Sequence, residues 1–199
     1  MEKFYLEVPA IDRKEEALEY LQEHANYNAD INGDGGMHHV LEDMTYEEWL
    51  IRNEKMKDKD YAYSLDRCPG ETFFLIREND NKIVGTINIR HELNEYMKKF
   101  GGHIGYGIRP TERRKGYNKI NLYLGLLKAK ELYDLESVML DCDVDNLGSD
   151  RTILALGGEL ERQDIDPYDN HLVNIYWIVS VIMLMMRILL GKHAVCGNG

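Results

Sequence analysis

The sequence predicts an α/β fold: a mixed β-sheet with helices on both faces. Two observations carry this. Short β-rich runs alternate with helical patterns in the order β-α-α-β-β-β-α-β-α-β-β. Near the middle, a strand, a basic loop and a long apolar helix follow one another from His103 to Tyr133, and no low-complexity linker divides the chain.

The elements follow in order. Phe4–Val8 reads as a first strand, on a sheet edge. Asp12 with Glu15 reads as a capped helix start, and Ala17, Leu18 and Leu21 supply its apolar stripe to about His24. From Asn26 to Asp43 the chain is rich in Asn, Asp and Gly and lacks periodicity, a long loop of the kind that often carries function. Within it Asp30-Ile31-Asn32-Gly33-Asp34-Gly35 matches the opening of a calcium-binding EF-hand loop. The twelfth position, which should bring a bidentate carboxylate, is Leu41, so no metal is expected. His38 and His39 read as loop residues. Thr45 and Glu48 form a capping box, with Met44 and Trp49 as its hydrophobic staple, and open a helix from Tyr46 to about Lys57. Lys55–Asp60 reads as solvated and Tyr61–Gly70 as irregular.

Thr72–Arg77 and Ile83–Arg90 make a hairpin, with Ile83, Ile87 and Ile89 on one face. His103–Ile108 is the next strand. In the helix after it, Ile120, Tyr123, Leu124 and Leu127 mark the expected buried face. Ser137–Cys142 is a strand, Asn146 or Ser149 caps a helix that ends at Gly157, and Glu159–Arg162 and Leu172–Val179 are the last two strands.

Charge and cysteines exclude several classes. A formal net charge of −11 would repel phosphates, which argues against nucleic acid as a partner and is compatible with a cationic amine. Cys68, Cys142 and Cys196 are widely spaced and imply neither a disulfide framework nor a zinc site. No apolar leader follows Met1, so a cytoplasmic protein is expected.

The loop Arg113-Arg114-Lys115-Gly116-Tyr117-Asn118 opens a helix. Backbone N–H groups there lack intrahelical partners, the helix dipole is positive, and three cations add full charge. That combination suits a phosphate or pyrophosphate. The loop, following Ile108-Arg109-Pro110, resembles motif A of the GNAT N-acetyltransferase superfamily, written Arg/Gln-x-x-Gly-x-Gly/Ala, with Asn118 in place of the last small residue. Asn146-Leu-Gly-Ser149-Asp-Arg151-Thr-Ile153 through Gly157-Gly158 resembles motif B, and the likeness covers roughly Phe73 to Trp177.

The resemblance implies a GNAT-type fold whose fourth and fifth strands splay apart, with acetyl-CoA as acyl-donor cosubstrate entering the V between them. It implies residues 1–179 as one acyl-CoA-binding domain, with acceptor-side elements in 1–70 and the cofactor-binding core in 71–179. Backbone groups of Tyr106, Gly107 and Ile108 would meet the pantetheine arm. Arg113, Arg114, Lys115, Gly116, Tyr117 and Asn118 would cradle the pyrophosphate, and Asn146, Ser149 and Arg151 would lie alongside.

Direct acetyl transfer to a primary amine of a small molecule or peptide follows as the expected activity. The base candidates are Glu92, His91 and His103, which flank the cleft strands. The family's leaving-group Tyr is replaced by Ile153, which leaves Tyr106 as the candidate acid. Two readings from other classes stand beside this one: a non-catalytic acyl-CoA sensor, and a membrane- or partner-binding protein. The second rests on the tail 180–199, where Tyr176–Leu190 is almost wholly apolar. The run falls short of the ~20 residues of an integral span and contains Arg187. An oligomer contact, as in a homodimer, or an aberrant C-terminus is expected there.

Overall fold

The computed structural model describes residues 2–179, so the reading placed on the tail 180–199 lies outside the described residues. The described strands form two antiparallel sheets. The first has the order β1-β2-β3-β4, built from β1 (Phe4–Glu7), β2 (Gly70–Arg77), β3 (Lys82–Arg90) and β4 (Ile104–Ile108). The second has the order β5-β7-β6, built from β5 (Ser137–Asp143), β6 (Glu159–Ile165) and β7 (Leu172–Val179). The helices are α1 (Lys14–Asn26), α2 (Tyr46–Lys55), α3 (Lys59–Ser64), α4 (Tyr117–Tyr133) and α5 (Leu147–Ala155). Among the described residues no helix is long and apolar enough to cross a membrane.

Two cores sandwich the first sheet. On one face Ala17, Tyr20 and Leu21 of α1 and Tyr46 and Trp49 of α2 pack on Phe74, Ile76 and Ile83. On the other, Leu122 and Leu126 of α4 and Ile153 of α5 meet Phe73, Ile87 and Ile89, and also Val138, Leu140 and Tyr176 of the second sheet. This shared apolar cluster joins the two sheets where no ladder does.

Several expectations need correction. Asp12 and Glu15 make no capping box. Ile11–Arg13 is a turn of 3-10 helix without a side-chain cap, and Arg13 is instead clamped between Glu7 and Glu16. Lys59–Ser64 is a short helix, because Asp58 caps it through the Tyr61 N–H; its charged composition hid it. The predicted face of β3 is split. The pairing register shifts between Leu75 and Ile76, leaving Val84 as an extra residue, so Ile83 turns to α1 and α2 while Ile87 and Ile89 turn to α4.

The face of α4 also differs from expectation. Ile120, Tyr123, Leu124 and Leu127 are only half-buried, and the packed stripe is Asn121, Leu122, Gly125, Leu126 and Ala129. The middle of the helix, Leu122 to Leu127, is apolar all round, so periodicity could not choose its inner side. The choice falls to close approach and polar satisfaction. A Cβ on Gly125 would lie 2.2 Å from Cδ1 of Ile87, and buried Asn121 donates through Nδ2 to the carbonyls of Thr86 and Gly107.

Candidate active site

β4 and β5 meet at one point and then part. At the vertex the His103 N–H donates to the Met139 carbonyl at 2.8 Å, and the Met139 N–H donates to His103 Nδ1 at 2.9 Å. Gly102 packs directly on the same Met139 carbonyl. Beyond the vertex no ladder joins the two strands. Tyr106 nevertheless packs in one cluster with Cys142 and Tyr176, so the strands diverge over a shared apolar floor.

The alternation of an antiparallel ladder decides which groups face that opening. The Arg90 N–H bonds to the His103 carbonyl and the Arg109 N–H to the Val84 carbonyl, which fixes the parity of β4. Gly105 and Gly107 therefore turn their peptide groups to β3. Ile104, Tyr106 and Ile108 turn theirs to the V, where the Ile108 carbonyl accepts from Arg113 Nε at 3.2 Å. Of the three β4 residues named from sequence, Tyr106 and Ile108 thus present backbone to the opening, and Gly107 presents a bare Cα to the other face. A Cβ there would stand 2.8 Å from the Asn32 carbonyl oxygen.

That other face is covered by the long Asn- and Gly-rich loop. Gly33 lies so close to β4 that a Cβ would sit 2.3 Å from the Gly105 carbonyl oxygen. Asp34, part of the calcium-like pattern, is buried and accepts from the N–H groups of Gly36 and His38 and from the His38 ring. Its hydrogen bond holds the His38 pKa above the usual imidazole value. The Trp49 indole N–H donates to the Gly35 carbonyl, which pins the loop to α2.

The basic loop follows β4 after a 3-10 turn, Pro110–Glu112. Arg114 (φ +64°) and Gly116 (φ +83°) are both left-handed, and Gly116 starts α4 with no side-chain cap. A Cβ built on Gly116 would meet nothing within 4 Å. The first N–H groups of α4 are thus exposed over an open cradle. Two acids brace the loop from behind. Glu23 of α1 accepts from Arg109 Nε and from the Thr111 N–H. Glu112 takes both terminal nitrogens of Arg77 and also Lys115 Nζ, at 2.7 Å. Burial alone would raise Glu112, but Lys115 and Arg77 together hold its pKa below the usual carboxylate range. Lys115 is therefore paired with the scaffold although still exposed, and Arg113 and Arg114 are the exposed cations of the loop that have no acid partner among the described residues. Asn118 is half-buried and its Oδ1 has no hydrogen-bond partner among the described residues.

On the α5 side, Asn146 caps the helix by accepting the Ser149 N–H at 3.1 Å, and Arg151 is exposed. Ile153 is 0% exposed and belongs to the core, so nothing at that position reaches the opening. The Tyr106 ring points to this side. Its hydroxyl is buried beside Ser149 with no hydrogen bond of normal geometry, and burial pushes its pKa up, with Ser149 opposing. Glu92 lies at the surface after β3, where Tyr63 donates to it at 2.9 Å. His91 stacks on Tyr133.

His103 belongs to the vertex. Burial, helped by Arg90, pushes its pKa down to about 4, and the neutral Nδ1 is what accepts the Met139 N–H. A histidine of ordinary pKa, about 6.5, takes up a proton in the unfolded chain first. Stability from this group is therefore full above about pH 6.5 and is lost as pH falls toward 4. Urea midpoints across that window should decline in the wild type and flatten in His103→Gln. Equal slopes in the two proteins would rule out the clamp.

The comparisons with known proteins agree with this geometry. Residues 36–157 match the family model described as Acetyltransferase (GNAT) family. No curated protein sequence matches the chain. Among solved structures, a ribosomal-protein-S5-alanine acetyltransferase from Vibrio fischeri is similar at TM-score 0.64 and 14% identity, covering 90% of this chain and 94% of that one. A ribosomal L7/L12 alpha-N-protein acetyltransferase solved with coenzyme A is similar at TM-score 0.63 and 15% identity, covering 89% and 94%. A spermidine/spermine N-acetyltransferase from Vibrio cholerae is similar at TM-score 0.63 and 13% identity, covering 92% and 97%. At such identities the structural likeness carries the fold, and the family model, which spans more than half of the chain, carries the membership. The chain belongs to the GNAT family of acetyltransferases, with acetyl-CoA as acyl donor.

Proposed function

We propose that the protein moves the acetyl group of acetyl-CoA directly to a primary amine of a small molecule or peptide. The observation that carries this is the run from the strand edge at Tyr106 and Ile108, which no ladder covers, to the uncapped α4 N-terminus at Gly116. A pantetheine arm with two amides fits a free strand edge, and a pyrophosphate fits N–H groups over a cradle that a Cβ would enter. In this reading Gly116, Tyr117 and Asn118 bind through backbone N–H groups, and Arg113 and Arg114 add charge. Lys115 acts at one remove, by holding Glu112. Asn146, Ser149 and Arg151 border the arm from α5. The relatives support an amine acceptor, since one is named for an alanine of a ribosomal protein, one for a protein N-terminus and one for polyamines.

A lysine-like amine has a pKa of about 10.4, so it must lose a proton before it attacks. Tyr106 supplies the opposite service in our reading: its partnerless hydroxyl gives a proton to the departing thiolate, the role that Ile153 cannot fill. The test is a panel of amino acids, polyamines, aminoglycoside-type amines and peptide N-termini, assayed by free-thiol release with acetyl-CoA. Turnover with one class is expected. Bound acetyl-CoA without turnover on any amine would replace the enzyme with an acyl-CoA sensor.

A further inference from the structure

A half-buried aspartate on β5, absent from the sequence-derived candidates, stands beside the opening between β4 and β5. Val138, Leu140 and Cys142 of β5 enter the core shared with α4 and α5, so Met139, Asp141 and Asp143 face the opposite way. Asp141 is two residues past Met139, the vertex contact, and so stands at the start of the opening. Across the opening on the same face is Arg90. Its Nη1 donates to the carbonyls of Gly101 (3.3 Å) and Gly102 (2.9 Å), and its Nη2 lies 3.6 Å from the point where a Gly105 Cβ would be. Arg90 stands beside Gly105, and Asp141 faces the same side from β5, away from the core shared with α5, near enough to Arg90 for that charge to lower its pKa.

We propose that Asp141 is the catalytic base that takes the acceptor's proton. This rests on the amine-acetylation reading above. Its surroundings suit the task. Burial raises the Asp141 carboxyl above its ordinary value, while the Gly101 amide and Arg90 hold the rise in check and Asp166 adds to it. The other groups around it are Tyr96, which donates to Asp166 at 2.6 Å, Tyr106 on β4, and Cys142 and Asp143 on its own strand. Among the described residues no side chain donates a hydrogen bond to it. A partly buried carboxylate whose proton affinity is raised, and which is held by a backbone amide but by no side-chain donor, is a better proton acceptor than exposed, hydrogen-bonded Glu92.

The step balances without a further reactant. The acceptor's ammonium gives one proton to Asp141, and the freed nitrogen lone pair forms the C–N bond at the thioester carbon while the carbonyl pair moves to oxygen. Return of that pair breaks the C–S bond. The nitrogen's surplus proton leaves as the thiolate is protonated, and Asp141 releases its proton to water.

The experiment measures single-turnover acetyl transfer to the best amine of the panel from pH 5 to 9, with the acetyl-CoA-induced rise in melting temperature as a binding control. Asp141→Asn should lower the rate about 10²-fold at pH 7 and leave the melting shift unchanged. Its rate should then climb about tenfold per pH unit, because only the free neutral amine reacts. Glu92→Gln should stay near the wild-type rate. Asp141→Glu keeps a carboxylate on a longer arm, so the acid limb should persist with a displaced midpoint. A wild-type profile in Asp141→Asn, an undisplaced midpoint in Asp141→Glu, or a loss confined to Glu92→Gln would each overturn the assignment. A wild-type chain that binds acetyl-CoA and acetylates no amine would overturn the amine reading itself, and this base with it. An active Asp141→Asn overturns the base alone.

Discussion

Tyr106→Phe is expected to lower single-turnover acetyl transfer about 10²-fold, with little change in acetyl-CoA binding. The substitution keeps the ring, which packs with Cys142 and Tyr176, and deletes only the hydroxyl. In the free protein that hydroxyl is buried and has no hydrogen-bond partner among the described residues. An unpaired buried polar group costs about 1–3 kcal/mol, so the Phe variant should melt at the wild-type temperature or above it. Loss of rate with gain of stability is the signature sought, because a packing defect moves both downward. Ile153→Val is the matching control on α5. It trims a fully buried side chain, should cost about 0.5–1.5 kcal/mol of stability, and should leave the chemical step intact. Unchanged transfer by Tyr106→Phe at every pH would mean that the thiolate leaves without a protein acid.

Gly116→Val should weaken acetyl-CoA binding by about tenfold or more, ~1.4 kcal/mol, whereas Lys115→Ala should change it only a few-fold. The two residues are neighbours, but they act differently. Gly116 has φ +83°, which a β-branched residue adopts only under strain, and its missing Cβ leaves free the space above the α4 N–H groups. Lys115 shares its charge with Glu112 at 2.7 Å, which offsets part of its attraction for a ligand. The readout is the ligand-induced melting shift, which at a ligand concentration 100 times Kd amounts to ~2.7 kcal/mol. Folding of each variant is checked without ligand. Equal losses would mean that charge attraction, and not the backbone cradle, binds the pyrophosphate.

The family and the basic loop that opens α4 were legible in the sequence because their signals are local. A glycine that opens a helix lies beside three cations, and the Asn that caps the next helix lies three residues from the N–H it accepts, so the geometry of each follows from chain connectivity. The Thr45–Glu48 capping box appeared as expected, since both of its hydrogen bonds close within one helical turn. The inner face of α4 was misjudged because a helix apolar all round its middle has no periodic signal there. There a contact with Ile87, distant in sequence, and two sheet carbonyls settled the matter. The β3 faces were misread for a related reason, as a one-residue bulge inverts every side chain beyond it.

The sequence by itself determined the order of the seven described strands and of four of the five described helices, the Thr45 and Asn146 caps, and the position of the basic loop that opens α4. Each depends on dihedral preference, periodicity, or hydrogen bonds between near neighbours. The tertiary structure alone decided which charges remain free. Glu112, three residues before Lys115, draws in Arg77 from β2 and pairs with Lys115, leaving Arg113 and Arg114 without an acid partner among the described residues. Asp141 and Arg90 come under each other's charge from strands in different sheets, and a carboxylate's proton affinity depends on its burial and neighbouring charges. Those quantities belong to the packed molecule, where residues far apart along the chain set one another's electrostatics.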